Sequence, residues 1–228
     1  MENGIKRDIR LVGLDLDGTV FTDEKTITPA TRDAIARAVR AGVAVLPVTG
    51  RPRSGLPEEV LAIPGVRYAI TSNGAMCEDL AEDKVLVRLA MDEETAMRAL
   101  RIAEKYDVVI DIYIDGQAYT AADSMRLVQT HVPESFRPYF LKTRRLVEDR
   151  GRFLRQTGRG AEKFTILFQD MAQRAAAWKE FEHTGLFELS GGIPENIEVN
   201  AKGVDKGRAL LALAERLGLS RGQTMACG

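Results

Sequence analysis

The sequence predicts an α/β protein: a parallel sheet built from both ends of the chain, with a second α+β unit inserted between them. Three observations carry that expectation. Over the first third of the chain, apolar runs of the buried-strand type alternate with helical patterns, as in βαβ units. From about residue 84 the strands alternate an apolar with a polar face, which suits an open antiparallel sheet carrying helices on one side. After Asn196-Ile197-Glu198-Val199 the α/β pattern resumes.

Residues 11–16 form a nearly continuous apolar run broken by Asp15, the pattern of a strand covered on both faces. Thr28-Pro29 supplies an N-cap and a proline at the first helical position, Ile35 and Val39 share a face, and Gly42 closes the helix. Residues 43–48 and 68–71 read as the second and third strands. In the inserted unit, residues 85–89 and 108–114 read as strands. The second of these has Val108, Ile110, Ile112 and Ile114 on one face and Asp111 and Tyr113 on the other, and Phe164, Ile166 and Phe168 repeat the alternation. Helices are predicted over residues 92–106 and 171–184, and the basic stretch from Lys142 to Arg159 as a solvated helix or loop. Residues 204–217 read as a helix stopped by Gly218, and residues 224–227 as another buried-type strand. Residues 1–83 and 193–228 are therefore expected to make one domain and residues 84–192 the insert.

Composition narrows the function classes. With 32 basic against 33 acidic residues and a net charge of −1, the chain has no global field to hold nucleic acid or an anionic membrane, so neither is expected as a partner. Two cysteines, Cys77 and Cys227, are too few for a disulfide framework, and with only two histidines a Cys/His zinc site is not expected. The N-terminus, Met-Glu-Asn-Gly-Ile-Lys, does not read as a signal peptide, and no apolar run approaches the length of a membrane span. A cytoplasmic location is the expectation. No G-x-G-x-x-G or G-x-x-x-x-G-K-[ST] occurs, which disfavours a dinucleotide or P-loop site.

The residues suited to chemistry fall at strand ends, where open α/β sheets bind ligands. Asp15 and Asp17 close the first strand, followed by Gly18-Thr19. Two carboxylates this close repel unless a cation or donor-rich loop compensates them, and their hard oxygens suit Mg²⁺. Thr49-Gly50-Arg51 follows the second strand and Ser72-Asn73-Gly74 the third. Singly, each is what a tight turn would use, and Lys206 near the start of the last helix is what a surface would use. Together they would bind a divalent cation and a phosphoryl group at one sheet edge, with one carboxylate attacking phosphorus and the other moving a proton.

Leu14-Asp15-Leu16-Asp17-Gly18-Thr19-Val20, Val48-Thr49-Gly50-Arg51, Thr71-Ser72-Asn73-Gly74-Ala75 and Gly203-Val204-Asp205-Lys206-Gly207 resemble, in this order, the motifs of the haloacid dehalogenase (HAD) superfamily phosphatases, most closely the Cof-type branch with an inserted C2 cap. The resemblance implies a Rossmann-like core under an α+β cap, and Mg²⁺-dependent hydrolysis of a small phosphomonoester, a sugar phosphate in the first instance. It implies Asp15 as nucleophile and metal ligand, and Asp17 as general acid/base, holding the metal through its backbone carbonyl. Thr49 and Lys206 would hold the phosphoryl group, with Gly50, Arg51 and Asn73 lining the phosphate and leaving-group region. Asp111, Tyr113 and Tyr119 are expected on the outer face of the cap sheet as ordinary surface, with a substrate-facing role the alternative.

In the family a strand like residues 224–228 runs on into a Gly-Asp-x-x-Asn-Asp loop that completes the metal site. This sequence stops at Gly228, so Mg²⁺ is expected to bind weakly and activity of the chain as written to be low. Two readings stand beside the phosphatase. A phosphosugar mutase of the same superfamily would pass the phosphoryl group to a second sugar, and a phospho-ligand binding module would be stabilised by ligand without turnover.

Overall fold

The computed structural model describes residues 8–22 and 24–228; the N-terminal stretch read against a signal peptide lies outside the described residues. The chain runs β1 (Leu11–Leu14), α1 (Pro29–Arg40), β2 (Ala44–Pro47), α2 (Glu58–Leu61), β3 (Tyr68–Thr71), β4 (Met76–Asp79) and β5 (Lys84–Arg88). It continues through α3 (Glu93–Ala103), β6 (Val108–Ile114), β7 (Gln117–Ala121), α4 (Ala122–His131), α5 (Arg137–Thr143), β8 (Arg144–Val147), α6 (Arg150–Thr157), β9 (Lys163–Phe168) and α7 (Met171–His183). It closes with β10 (Phe187–Ser190), β11 (Asn196–Ala201), α8 (Lys206–Arg216) and β12 (Thr224–Cys227).

The core sheet has the order β12-β1-β2, all parallel. A parallel bridge between Val48 and Ile70 brings β3 alongside β2, and β3 then leads into the antiparallel β3-β4-β5 sheet. Thr28 caps α1 through its hydroxyl, which accepts from Thr31 N at 3.1 Å, an interaction that contributes about 1 kcal/mol. On one face of the sheet Ile35 packs with Val12, Leu14 and Val45; on the other, Leu210 and Leu213 of α8 pack with Leu11, Leu46 and Ile70. Both faces are therefore covered, which is why β1 and β2 are apolar throughout.

The inserted sheet has six strands in the order β10-β11-β9-β6-β7-β8, antiparallel except for the β7–β8 pair. Three features depart from the sequence-based expectation. The sheet runs through Ala201 because β11 pairs with both β9 and β10, past the expected boundary at residue 192, while β5 pairs with β4 of the core segment. The second face of β6 is not open surface: every residue of β6 and β9 is buried. Besides α3, α6 and α7 on the face of Ile110 and Phe164, helices α4 and α5 cover Val109 and Leu167 on the other. Asp111 is 0% exposed and Tyr113 3%, so neither is ordinary surface, and half-buried Tyr119 stacks on Phe153. Finally, the basic stretch is not fully solvated. Arg144 is buried on Asp111 and Arg150 on Asp123, because each has a carboxylate to satisfy its guanidinium. Among the described residues no helix is long and apolar enough to cross a membrane.

Candidate active site

The carboxyl ends of β1, β2 and β3 converge on one edge of the core sheet, beneath the inserted sheet. Asp15 follows β1 directly, its backbone N–H held by the Cys227 carbonyl at 2.9 Å. Its Oδ1 accepts from Lys206 Nζ at 2.7 Å across a sequence separation of 191 residues. Lys206 opens α8, whose N-cap Asp205 accepts from Arg208 N at 2.8 Å. A cation at a helix N-terminus opposes the dipole; here the Asp15 carboxylate compensates it. Gly74, in the loop after β3, lets that loop approach the start of α8: it sits at φ +105°, and a Cβ there would lie 2.4 Å from the Asp205 carbonyl oxygen.

Asp17 faces the second loop. Arg51 grips it with a two-pronged fork, Nε to Oδ2 at 3.0 Å and Nη2 to Oδ1 at 2.9 Å, and Lys25 adds a third bond at 3.0 Å. Burial alone would raise this carboxyl, but the Arg51 fork and Lys25 outweigh it and hold Asp17 below the usual carboxylate range. The Arg51 guanidinium lies 4.5 Å from the Tyr139 ring centroid and 5.8 Å from that of Phe21. Arg144 lies on the same tyrosine ring at 5.0 Å, so a cation–π column joins core to cap.

Thr49 is buried, and its Oγ1 accepts from Arg51 N at 3.2 Å. The neighbouring loop is tied to it: Asn73 N donates to Thr49 O at 3.1 Å and Ser72 N to Arg51 O at 2.9 Å. Ser72 and Asn73 both adopt left-handed backbone, φ 52° and 60°, a strained pair for non-glycine residues. Gly50 leaves no room for a side chain, since a Cβ would stand 2.7 Å from Asn73 Oδ1. The seven residues expected at the site, Asp15, Asp17, Thr49, Gly50, Arg51, Asn73 and Lys206, thus lie on loops that touch one another.

Sequence reasoning missed the cap's contribution. Lys163, 1% exposed, reaches from β9 to donate to the Gly50 carbonyl at 2.6 Å and to Glu198 Oε1 at 2.5 Å. Glu198 Oε2 accepts from Asn73 Nδ2 at 2.8 Å, and Asn200 Nδ2 donates to Ser72 O at 2.9 Å. The only signal in the sequence was a lysine opening a mostly apolar strand; its register with Asn200 and its diagonal relation to Glu198 belong to the fold. Burial would raise the Glu198 carboxyl; the charge and hydrogen bond of Lys163, with Asn73, reverse that and hold it low. Its stabilising contribution is therefore present above the ordinary glutamate value of about 4.3 and is lost as pH falls through the lower folded value. Glu198→Gln is expected to reduce stability by roughly 2 kcal/mol at neutral pH. In thermal unfolding across pH the gap from wild type should close below that range, as wild-type Glu198 itself becomes neutral.

The only cation-binding chemistry among these groups is hard oxygen. Asp15 offers a carboxylate and Asp17, whose own carboxylate is taken up by Arg51 and Lys25, a backbone carbonyl, and among the described residues no group of three His, Cys, Asp or Glu side chains converges as a metal cage. One carboxylate and one carbonyl completed by water and a substrate phosphate fit Mg²⁺, which rarely takes an all-protein cage.

A carboxylate–lysine pair at the mouth of a parallel sheet, tied to an inserted α+β sheet, is the candidate site of an α/β enzyme. The chain belongs to the haloacid dehalogenase-like hydrolases: the family model matches residues 12–228. It is similar to the pyridoxal phosphate phosphatase YbhA of Escherichia coli, 26% identical over 224 residues that cover 96% of this chain and 80% of that protein. It is also similar to the 5-amino-6-(5-phospho-D-ribitylamino)uracil phosphatase YcsE of Bacillus subtilis, 27% identical over 225 residues, 97% of this chain and 77% of the other. Among solved structures, a haloacid dehalogenase-like hydrolase from B. subtilis superposes with a TM-score of 0.83 at 21% identity, over 96% of this chain and 83% of the other.

Proposed function

We propose that this hydrolase is a Mg²⁺-dependent phosphatase of small phosphomonoesters, sugar phosphates first among them, working through a phosphoaspartyl intermediate on Asp15. The observation that carries the reading is the Asp15–Lys206 contact at 2.7 Å. It sets a nucleophilic carboxylate next to a cation suited to the phosphoryl oxygens. The two named relatives are phosphatases of a cofactor phosphate and of a phosphorylated ribityl compound, which supports a small phosphorylated substrate.

In this mechanism Lys206 and the Thr49 hydroxyl hold the phosphoryl oxygens while the second oxygen of Asp15 attacks phosphorus, and the leaving-group oxygen departs on the opposite side. Gly50, Arg51 and Asn73 line the path of the leaving group. Asp17 is an ionised carboxylate while Arg51 grips it. To protonate the departing oxygen it must first take up a proton from solvent, which its burial favours once Arg51 turns from it to the substrate; the carboxylate left after that transfer then takes the proton from the water that hydrolyses the aspartyl phosphate. The Asp15 carboxylate and the Asp17 backbone carbonyl would hold Mg²⁺, which when bound neutralises charge on the transferring phosphoryl group.

The test is phosphate release from a panel of sugar phosphates, pyridoxal phosphate and an aryl phosphate, with and without EDTA. Release that EDTA abolishes and added Mg²⁺ restores is the expected result. Transfer to a second sugar without free phosphate would favour the mutase, and ligand-induced thermal stabilisation without turnover would favour a binding module.

A further inference from the structure

We propose that Lys163 of the inserted sheet is a positioning residue for Thr49, acting through the Gly50–Arg51 peptide; the inference rests on the phosphatase reading. The two ends of that one peptide plane are engaged on opposite sides. Its carbonyl, from Gly50, accepts from Lys163 Nζ at 2.6 Å. Its N–H, from Arg51, donates to Thr49 Oγ1 at 3.2 Å. The C=O and N–H of a trans peptide are antiparallel and rigidly linked, so fixing the carbonyl fixes the direction of the N–H. With that N–H occupying a lone pair of Thr49 Oγ1, the hydroxyl proton is directed away from the loop and is available to a phosphoryl oxygen. Lys163 thereby sets the donor role of a residue it does not touch.

The surroundings of Lys163 are arranged for this. An ammonium group that is 1% exposed is expensive to bury without compensation, and this one is compensated wholly at the junction. Glu198 accepts one bond at 2.5 Å, the Gly50 carbonyl another, and the Tyr113 ring centroid lies 4.7 Å from Nζ. Glu198 in turn holds Asn73, and Asn200 holds the Ser72 carbonyl, so the strained Ser72–Asn73 loop hangs from β11, the strand paired with β9. The backbone of Gly50 admits the lysine because a Cβ at that position would lie 3.4 Å from Nζ and 2.7 Å from Asn73 Oδ1. The inserted domain is then part of the site's geometry rather than only a cover over it, since its Lys163 supplies the contact that orients the Gly50–Arg51 peptide.

The test is a double-mutant cycle between Lys163→Met and Thr49→Val in the full chain. The substrate is a small aryl phosphate whose leaving group makes no demand on the cap. Thermal stabilisation by orthovanadate is recorded in parallel as a readout independent of turnover. Lys163→Met is expected to lower kcat roughly 10- to 100-fold, less than the roughly 10²–10³-fold cost of losing such a donor outright because Thr49 is misoriented rather than removed, with KM changed less than about threefold. In the Thr49→Val background it should have little further effect, since its route of action is already gone. Lys163→Gln, which drops the charge but keeps an amide able to pair with Glu198, runs in the same cycle and carries the test if the Met variant does not fold. Lys163→Arg, which keeps the cation, should retain most of kcat. A wild-type chain that neither turns over nor is stabilised by orthovanadate overturns the phosphatase reading and this inference with it. An active wild type whose Lys163 variants keep full kcat, or lose activity additively with Thr49→Val, overturns this inference alone.

Discussion

Asp15→Asn is expected to lower phosphate release by roughly 10⁴-fold or more, the scale on which loss of a nucleophile acts, while leaving the fold intact. An amide in that position keeps the shape and can still meet Lys206, but it cannot form an acyl phosphate. The fold should tolerate the change because the Asp15–Lys206 pair is only partly buried, 28% and 40% exposed, and ion pairs in that range contribute little to stability. Initial rates on an aryl phosphate, with thermal unfolding of both chains alongside, check the two halves of the expectation. A large fall in rate with an unchanged melting curve is the predicted combination.

The second large effect lies in the cap. Asp111 and Arg144 form an ion pair at 2.8 Å with side chains 0% and 2% exposed. Burial raises the Asp111 carboxyl despite the arginine beside it, and Arg144 is held above its ordinary value by Asp111, Tyr113 and Tyr139 in spite of its own burial. Asp111→Ala would leave an uncompensated guanidinium among Phe140, Tyr139 and Tyr113, which costs about 3–5 kcal/mol. For a chain of this length that corresponds to a fall in Tm of about 10 °C. Replacing both partners, Asp111→Leu with Arg144→Met, should recover most of the loss, because a buried pair exchanged for apolar groups is often neutral or better. Differential scanning calorimetry on the single and double variants separates the outcomes: a double variant no more stable than the single one would show that the pair is not the unit of stabilisation.

The parts of this molecule legible in the sequence are those whose information is local. β1, its acidic pair and the capped helix that follows are written in consecutive residues: an apolar run, two aspartates, then Thr28-Pro29 and a closing Gly42. β12 occupies residues 224–227 as expected, but it is not of the buried type: it pairs with β1 alone among the described strands, and Met225 is exposed. What resisted reading depends on partners far away in the chain. Arg144 and Arg150 sit in a basic stretch that reads as solvated, and only the fold supplies Asp111 and Asp123 to bury them. The polar face of β6 reads as surface because alternation reports that a face is polar, not that α5 lies over it. Lys163 and Glu198 are unremarked in isolation, and their meaning comes from β9 and β11 pairing side by side and pointing at Gly50. The short strands β7, β8 and β10 carry too little periodicity to be separated from loops.

That contrast has a functional side. The residues in the motif order sit on the core, where strand ends and turns are compact sequence units. The groups that orient them, Lys163, Glu198, Asn200 and the Tyr139 and Arg144 side chains stacked beside Arg51, come from strands and helices of the inserted domain. Substitutions there should alter how the core loops are held before they alter which residues are present.

The most direct test of the central claim is to look for the phosphoryl group on Asp15. The chain would be mixed with Mg²⁺ and an aryl phosphate, quenched in acid during turnover, digested, and the fragment containing residues 11–17 sequenced by mass spectrometry, with Asp15→Asn as the control. Phosphorylation localised to Asp15 in the wild type and absent from the variant is the predicted result. Turnover with Asp15 unmodified at every quench time, or retained in the Asn variant, would contradict a phosphoaspartyl enzyme.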